Sequence, residues 1–359
     1  MKKHIIRIVI ILGILLLIAG GYLLYVFKSF DRVPDRLYLD TATTGSYSYF
    51  QDNEVINTGK AYNFLTYNIG FGAYTPDYSF FMDGGKYSWA LSEEGLMANM
   101  CEITELINNS GADFIMLQEV DVDGTRTYHL NELELLNTLV KGYYYNYGTA
   151  YDSPFLFYPF WQPHGANKAV QVTYSKAPIS ESVRRSLPIS ESISRVIDYD
   201  RCYIVSKIPC ANEKKLVLYN VHLSAYTDDE SLKEAQLSML FEDMENEYRL
   251  GNYVICGGDF NQNLKTDDWE NVPNWAKPFP KEMIPEGFSL AIEFADPKNI
   301  EHDSCRDANE PYNPDTTYTV TPDGFIVSDN VRVNFYSNTN SSYKYSDHDP
   351  VFMQVFLKD

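Results

Sequence analysis

The chain has 359 residues, 45% hydrophobic and 22% charged, a globular composition with enough apolar material for a large core. Its formal net charge of −20 argues against a protein that grips nucleic acid with a basic face, although a divalent cation could still draw an anionic group into a local acidic pocket. The five cysteines form no C-x-x-C metal or redox motif, and the odd count leaves at least one unpaired within the chain. Cys101 and Cys256 lie in apolar runs and read as buried thiols, while a pairing of Cys202 with Cys210 or Cys305 stays open.

Residues 1–7 are basic, and residues 8–27 carry no charge, a length that spans a bilayer as a helix. A secretory signal peptide shares the basic start, but its apolar region is shorter and no clear A-x-A cleavage site follows. Tyr22 and Tyr25 suit an interfacial belt. Residues 1–28 therefore read as a single-pass signal anchor in the cell membrane. The main domain is expected outside, although Lys28, Arg32 and Arg36 balance Lys2, Lys3 and Arg7 in the positive-inside count. Residues 29–59 read as a linker and an edge segment, loosest at Thr41-Ala42-Thr43-Thr44-Gly45-Ser46.

Residues 62–72 form a strand that runs into a glycine-rich turn, with Asn68 at its end. Residues 93–109 make a helix with Leu96, Met100, Ile103 and Ile107 on one face and Gly111 after it. The apolar run 112–120 is a strand that delivers Gln118 and Glu119 at its end, where a carboxylate suits a hard metal. A second amphipathic helix covers 130–140. The aromatic stretch that follows is broken by Pro154, Pro159 and Pro163, and reads either as a loop meeting substrate or the membrane interface, or as an aromatic-packed loop. Residues 165–179 return to strand.

Residues 216–223 are another strand, with His222 near its end. Asp228 and Asp229 can start the helix 231–250. The stretch Tyr253-Val254-Ile255-Cys256-Gly257-Gly258-Asp259-Phe260-Asn261 reads as a buried strand ending in a Gly-Gly turn. On extended backbone Asp259 and Asn261 would share one side, as suits a carboxylate that orients water and an amide that bonds a phosphoryl oxygen. Residues 263–316 are loop-rich. Strand and turn follow at 317–330 with Asp323 at the boundary, and a loop carrying Asp347-His348 enters the last strand.

Six segments stand in order between about residues 60 and 357: T-Y-N-I-G (66–70), L-Q-E-V (117–120), N-V-H-L (220–223), G-G-D-F-N (257–261), P-D-G-F-I-V-S (322–328) and S-D-H-D-P-V (346–351). Together they resemble the endonuclease/exonuclease/phosphatase superfamily, which includes pancreatic-type deoxyribonucleases, abasic-site endonucleases, neutral sphingomyelinases and inositol polyphosphate 5-phosphatases. The resemblance implies an α/β domain over residues 60–359, a four-layer α-β-β-α sandwich with two mixed β-sheets; here one N-terminal transmembrane helix precedes it. It implies Asn68, Glu119 and Asp347 at a divalent metal, Mg²⁺ with Mn²⁺ or Ca²⁺ as alternatives. By the same resemblance Asp259 orients the attacking water or leaving group and Asn261 contacts the phosphate. Asp323 orients His348, the base or phosphate-binding histidine, and His222 is the second family histidine.

Two segments depart from the family pattern. Asp323 is followed by Gly324-Phe325-Ile326 rather than by a more basic-aromatic run, and residues 169–179 replace a G-L-A-I-L-S-R-Y-P-I-like segment. The anchor, the acidic charge and the aromatic loop favour a lipid headgroup or small phosphoester over DNA. The expected function is a membrane-anchored, metal-dependent phosphoesterase, acting as a monomer by in-line attack of water. A metal-dependent nuclease acting on extracellular DNA is the first alternative, and a catalytically silent scaffold on the same fold is the second.

Overall fold

The computed structural model describes residues 2–29, 32–45, 55–190, 200–225, 230–266 and 277–359. Asp228, Asp229 and, within the 29–59 segment, residues 30–31 and 46–54 lie outside the described residues; the stretch read as loosest is described up to Gly45 and includes the short strand Ala42–Thr43. In chain order the elements begin with α1 (Lys2–Ser29), β1 (Leu37–Tyr38), β2 (Ala42–Thr43), β3 (Ala61–Asn68), α2 (Glu93–Asn109), β4 (Phe114–Gly124) and α3 (Glu132–Leu139). They continue with β5 (Tyr144–Asp152), β6 (Asn167–Ser175), β7 (Glu181–Ser186), β8 (Cys202–Pro209), β9 (Lys215–His222), α4 (Glu230–Arg249) and β10 (Tyr253–Asp259). The last are β11 (Phe288–Leu290), β12 (Cys305–Arg306), β13 (Thr319–Val320), β14 (Asp323–Ser328), β15 (Val331–Asn338) and β16 (Val351–Leu357).

Two seven-stranded mixed sheets form the body, in the orders β1-β7-β8-β9-β10-β14-β11 and β15-β16-β3-β4-β6-β5-β2. Each has one parallel pair near its centre, β9 with β10 and β3 with β4, flanked by antiparallel neighbours. A parallel pair needs a crossover, and α4 and α2 supply it. Alternation along the strands separates the layers. Leu65, Ile115 and Leu117 pack with Leu96, Met100 and Ile103 of α2 and Leu136 of α3. Their neighbours Phe64, Phe114 and Met116 point the other way, into a core shared with β9, β10 and the α4 residues Leu237 and Leu240. The result is the α-β-β-α arrangement, with helices outside and two sheets face to face.

Local sequence explains the helices. Ser92 caps α2 by accepting from Gly95 N at 3.0 Å, and Glu93 and Glu94 sit in the favourable first turn. Asn131 caps α3 in the same way, through Glu134 N at 3.0 Å. The helix α1 is long and apolar enough to cross a membrane, and Val26 is its one buried residue among those described.

Some readings of the sequence change. Strand β4 does not end at Glu119 but runs on to Gly124, with a register shift between Leu117 and Val120. Cys101 is exposed, because it follows the buried Met100 by one position and so faces about 100° around the helix. All five cysteines are free. Strands β7, β8 and β15 have no counterpart in the sequence reading. In β7 the buried positions are Ser182, Arg184 and Ser186, so the alternation is real but carries no apolar signal.

Candidate active site

Both parallel pairs point their C-terminal ends at one cleft of about 370 Å³. The eight residues singled out in the sequence meet here. Glu119, His222, Asp259, Asn261, Asp347 and His348 line the cleft directly. Asn68 and Asp323 stand just behind, each bonded to a lining residue.

Asn68 is the last residue of β3. Its Oδ1 accepts from Gly70 N at 3.0 Å, so its Nδ2 faces the cleft and donates to Glu119 Oε1 at 3.2 Å and Asp259 Oδ2 at 3.0 Å. One amide thus ties together carboxylates from both sheets. To offer its oxygen to a cation, Asn68 would have to turn the amide over. Glu119 reaches the cleft because β4 bulges there, and the residue takes φ 55°. Phe71 (φ 37°) and Asn261 (φ 51°) line the same cleft in the same left-handed region. Each costs on the order of 1–3 kcal/mol, so the surrounding structure must hold the site in this shape.

Asn261 is not beside Asp259 on extended backbone. It sits in a turn in which its N–H donates to Asp259 Oδ1 at 2.8 Å, and its Nδ2 donates to Leu223 O at 2.8 Å. Gly258 makes the turn's approach feasible. It has φ 150°, and a Cβ there would lie 2.0 Å from Val221 O.

His348 Nδ1 is 2.8 Å from Asp323 Oδ2, and the same oxygen accepts from Ser304 Oγ at 2.7 Å. Burial works against a charged His348, but Asp323, through its charge and its hydrogen bond, together with Cys305 and Asp347, outweighs it and holds the imidazole well above the usual histidine range. His222 moves the opposite way: burial, then the charges of Arg201 and His348, keep it neutral. The carboxyl of Asp259 is pushed up to about 6, first by burial and then by Asp323. The site therefore holds one neutral and one charged histidine on either side of a readily protonated carboxylate. His222 Nε2 is 3.6 Å from Asp259 Oδ2, and His348 Nε2 is 3.8 Å from the same atom.

The donors facing the cleft fit a hard cation. Glu119, Asp259 and Asp347 supply carboxylate oxygens, the ligand type that Mg²⁺, Mn²⁺ and Ca²⁺ prefer. Among the described residues, Asp259, Asp323 and His348 form a cluster with ligand atoms within 4.8 Å of one another. Asp323 and His348 already bind each other, however, which makes that cluster a proton-holding pair beside a carboxylate rather than an open ligand set.

A family model for the endonuclease/exonuclease/phosphatase family matches residues 65–348. The chain belongs to this family. Its members are hydrolases that act on phosphoester bonds. Solved structures share the fold. An endonuclease/exonuclease/phosphatase from Beutenbergia cavernae DSM 12333 is 16% identical with a TM-score of 0.57, covering 83% of this chain and 72% of that one. A mannosyl-6-phosphatase from Bacteroides thetaiotaomicron VPI-5482 is 14% identical with a TM-score of 0.54, covering 82% of this chain and 100% of that one. TDP2 from C. elegans is 17% identical with a TM-score of 0.52, covering 85% and 77%. No curated protein matches the sequence.

Several supporting residues escape sequence reasoning. Ser346 Oγ donates to Asn68 O at 2.9 Å and accepts from His348 N at 3.2 Å, tying the loop that carries Asp347 and His348 to the end of β3 in the same sheet. Cys305 places its Sγ 3.4 Å from His348 Nε2, and Arg306 lines the cleft wall. Ser304, Cys305 and Arg306 come from the loop-rich 263–316 stretch, which has no periodicity or motif to mark them. A buried bridge links the sheets behind the cleft. Gln118 Nε2 donates to Asn220 Oδ1 at 2.7 Å, and Asn220 Nδ2 donates to Val172 O at 2.9 Å.

Proposed function

We propose that this chain is a membrane-anchored phosphoester hydrolase that works with a divalent cation. Mg²⁺ is the first choice, and a lipid headgroup or a small phosphoester is favoured over nucleic acid as substrate. The observation that carries the reading is the meeting of Glu119, Asp259 and Asp347 with the His348–Asp323 pair, bonded at 2.8 Å, in one cleft.

Glu119 and Asp347 would hold the cation, with Asn68 beside them. The cation would neutralise charge developing on the phosphoryl oxygens. Asp259 orients the attacking water and takes its proton, a role that suits a carboxyl raised to about 6. His222, kept neutral, donates one hydrogen bond to a phosphoryl oxygen. His348, kept cationic by Asp323, stabilises the leaving oxygen and can return a proton to it. Asn261, anchored to Leu223 O, borders the phosphate.

The anchor is α1, with the hydrolase domain outside the cell as a monomer. The net charge of −20 opposes polyanionic partners and leaves small phosphoesters and headgroups as the better-matched class. The test uses the full chain in nanodiscs, with Mg²⁺ and then with excess EDTA. The substrates are sphingomyelin, phosphatidylinositol phosphates, plasmid DNA and bis(p-nitrophenyl) phosphate. Cation-dependent release from the lipids or the nitrophenyl ester is expected. Turnover that persists in EDTA would remove the cation from the mechanism, and preferential cleavage of DNA would make the enzyme a nuclease. A folded, cation-loaded protein that is silent on all four would overturn the reading.

A further inference from the structure

The loop at residues 154–163 presents four large aromatic side chains to solvent. Phe157 is 52% exposed, Tyr158 59%, Phe160 81% and Trp161 68%. Singly exposed apolar residues are ordinary, but four on one loop are a patch that calls for an occupant. The base of this loop is pinned to the domain. Trp89 Nε1 donates to Pro163 O at 2.7 Å, Ser88 N donates to Gln162 Oε1 at 2.8 Å, and Ser88 Oγ is 3.0 Å from His164 Nδ1.

Its other side rests on α1. Tyr22 Oη donates to Phe155 O at 3.2 Å and accepts from Phe157 N at 3.1 Å. Tyr25 Oη accepts from Phe155 N at 3.2 Å. Leu156 packs with Val26, Tyr22 and Phe27, and the rings of Tyr22 and Phe157 meet edge-on at 5.3 Å. These contacts set a depth. Tyr22 lies five residues before Phe27, the last of the uncharged run, or about 8 Å back along the helix axis. A helix that spans a bilayer with that run therefore carries the loop to the boundary between headgroups and acyl chains. Loop backbone is costly at that depth unless its polar groups are bonded, and the two helix tyrosines bond three of them.

The same loop reaches the catalytic cleft. Tyr158 packs against Phe81 at 6.0 Å, Phe81 packs against His164 at 5.4 Å, and His164 lines the cleft with Phe80 and Met82. We infer that the 154–163 loop is an interfacial wedge which, with α1, seats the cleft at the surface of the bilayer, so that the phosphoester cleaved is carried by a lipid of that same membrane. This inference rests on the hydrolase reading and narrows its substrate class. Aromatic rings with polar edges suit the headgroup layer, and continuity with α1 selects a bilayer over a protein as the occupant.

Two measurements on the full chain in nanodiscs test it. In the first, Trp fluorescence is quenched with phosphatidylcholine brominated near the headgroup or near the tail end, and wild type is compared with Trp161→Phe. The extra quenching in wild type should be large for the shallow label and small for the deep one. If Trp161 is insensitive to both labels, the bilayer is not the loop's occupant, as when a protein partner takes the patch, and the inference falls. In the second, a Phe160→Ser/Trp161→Ser double variant is assayed on nanodisc lipid and on bis(p-nitrophenyl) phosphate. Lipid turnover should fall about tenfold while soluble turnover stays within about twofold. Equal losses on both substrates, or no loss on lipid, would overturn the link between loop and substrate. An enzyme inactive on everything would instead sink the hydrolase reading, and the quenching result would still decide where the loop sits.

Discussion

The parallel pair β3/β4 in one sheet and the parallel pair β9/β10 in the other are built alike. Each is joined by one helix, each lies near the middle of a seven-stranded sheet, and each ends at the cleft. They differ in what they deliver and how. The β9/β10 pair sets His222 directly across from Asp259 in perfect register, with Gly258 allowing the close approach. The β3/β4 pair is in register only as far as Asn68 and Gln118, and Glu119 needs the β4 bulge to turn into the cleft. One pair therefore presents a neutral histidine and a carboxyl raised by burial, suited to moving protons. The other presents a carboxylate, the ligand type a hard cation prefers, beside an amide whose Nδ2 donates to it. The frame is shared, and the terminal residues differ.

Substitution at the two ends should separate those tasks. Asp259→Asn should lower kcat on the order of 10³-fold even at saturating cation, because the group proposed to take the proton is gone. Glu119→Gln should also cost activity, but with a raised Mg²⁺ requirement that excess cation partly relieves. A titration of rate against Mg²⁺ for both variants checks this, and identical cation dependence would remove the division of labour.

The bridge behind the cleft joins the pairs and should matter for stability. Asn220→Ala removes the 2.7 Å acceptor of Gln118 Nε2, which keeps only its 3.3 Å bonds to Thr66 Oγ1 and Met116 O, and removes the 2.9 Å donor to the carbonyl of Val172. A loss of about 2–3 kcal/mol is expected in denaturant unfolding. A neutral result would mean that water replaces the amide and that the remaining cross-sheet contacts, such as Asn146 Nδ2 to Ser206 Oγ at 2.8 Å, suffice to hold the sheets.

The smallest effect concerns charge. In the metal-free protein His348 should remain imidazolium above the usual histidine range, and Asp323→Asn should bring its titration down. The sign follows from linkage. A raised folded-state value stabilises the fold below the unfolded histidine's value, and that contribution is lost as pH rises through the folded one. His222 shifts the other way and should stay neutral until well into acid. Histidine NMR in EDTA reads both at once. A His348 that titrates normally would dissolve the contrast between the two rings.

Local physics made much of this legible. The α2 stripe of Leu96, Met100, Ile103 and Ile107 is set by helical period, and all four are buried. Asn68, His222 and Asp259 stand where apolar runs stop, and each closes its strand. The uncharged run at the N-terminus forms one helix. These are properties of neighbours in sequence, so periodicity and turn residues report them. The tertiary structure alone decided which ends meet. Asn68 bonds Asp259 across 191 positions, and no local pattern encodes that distance. The bulge at Glu119, the support from Ser304 and Ser346, and the seat of the 154–163 loop on Tyr22 and Tyr25 belong to the same class. Each exists because two segments far apart in the chain satisfy one another's polar groups once the sheets have stacked.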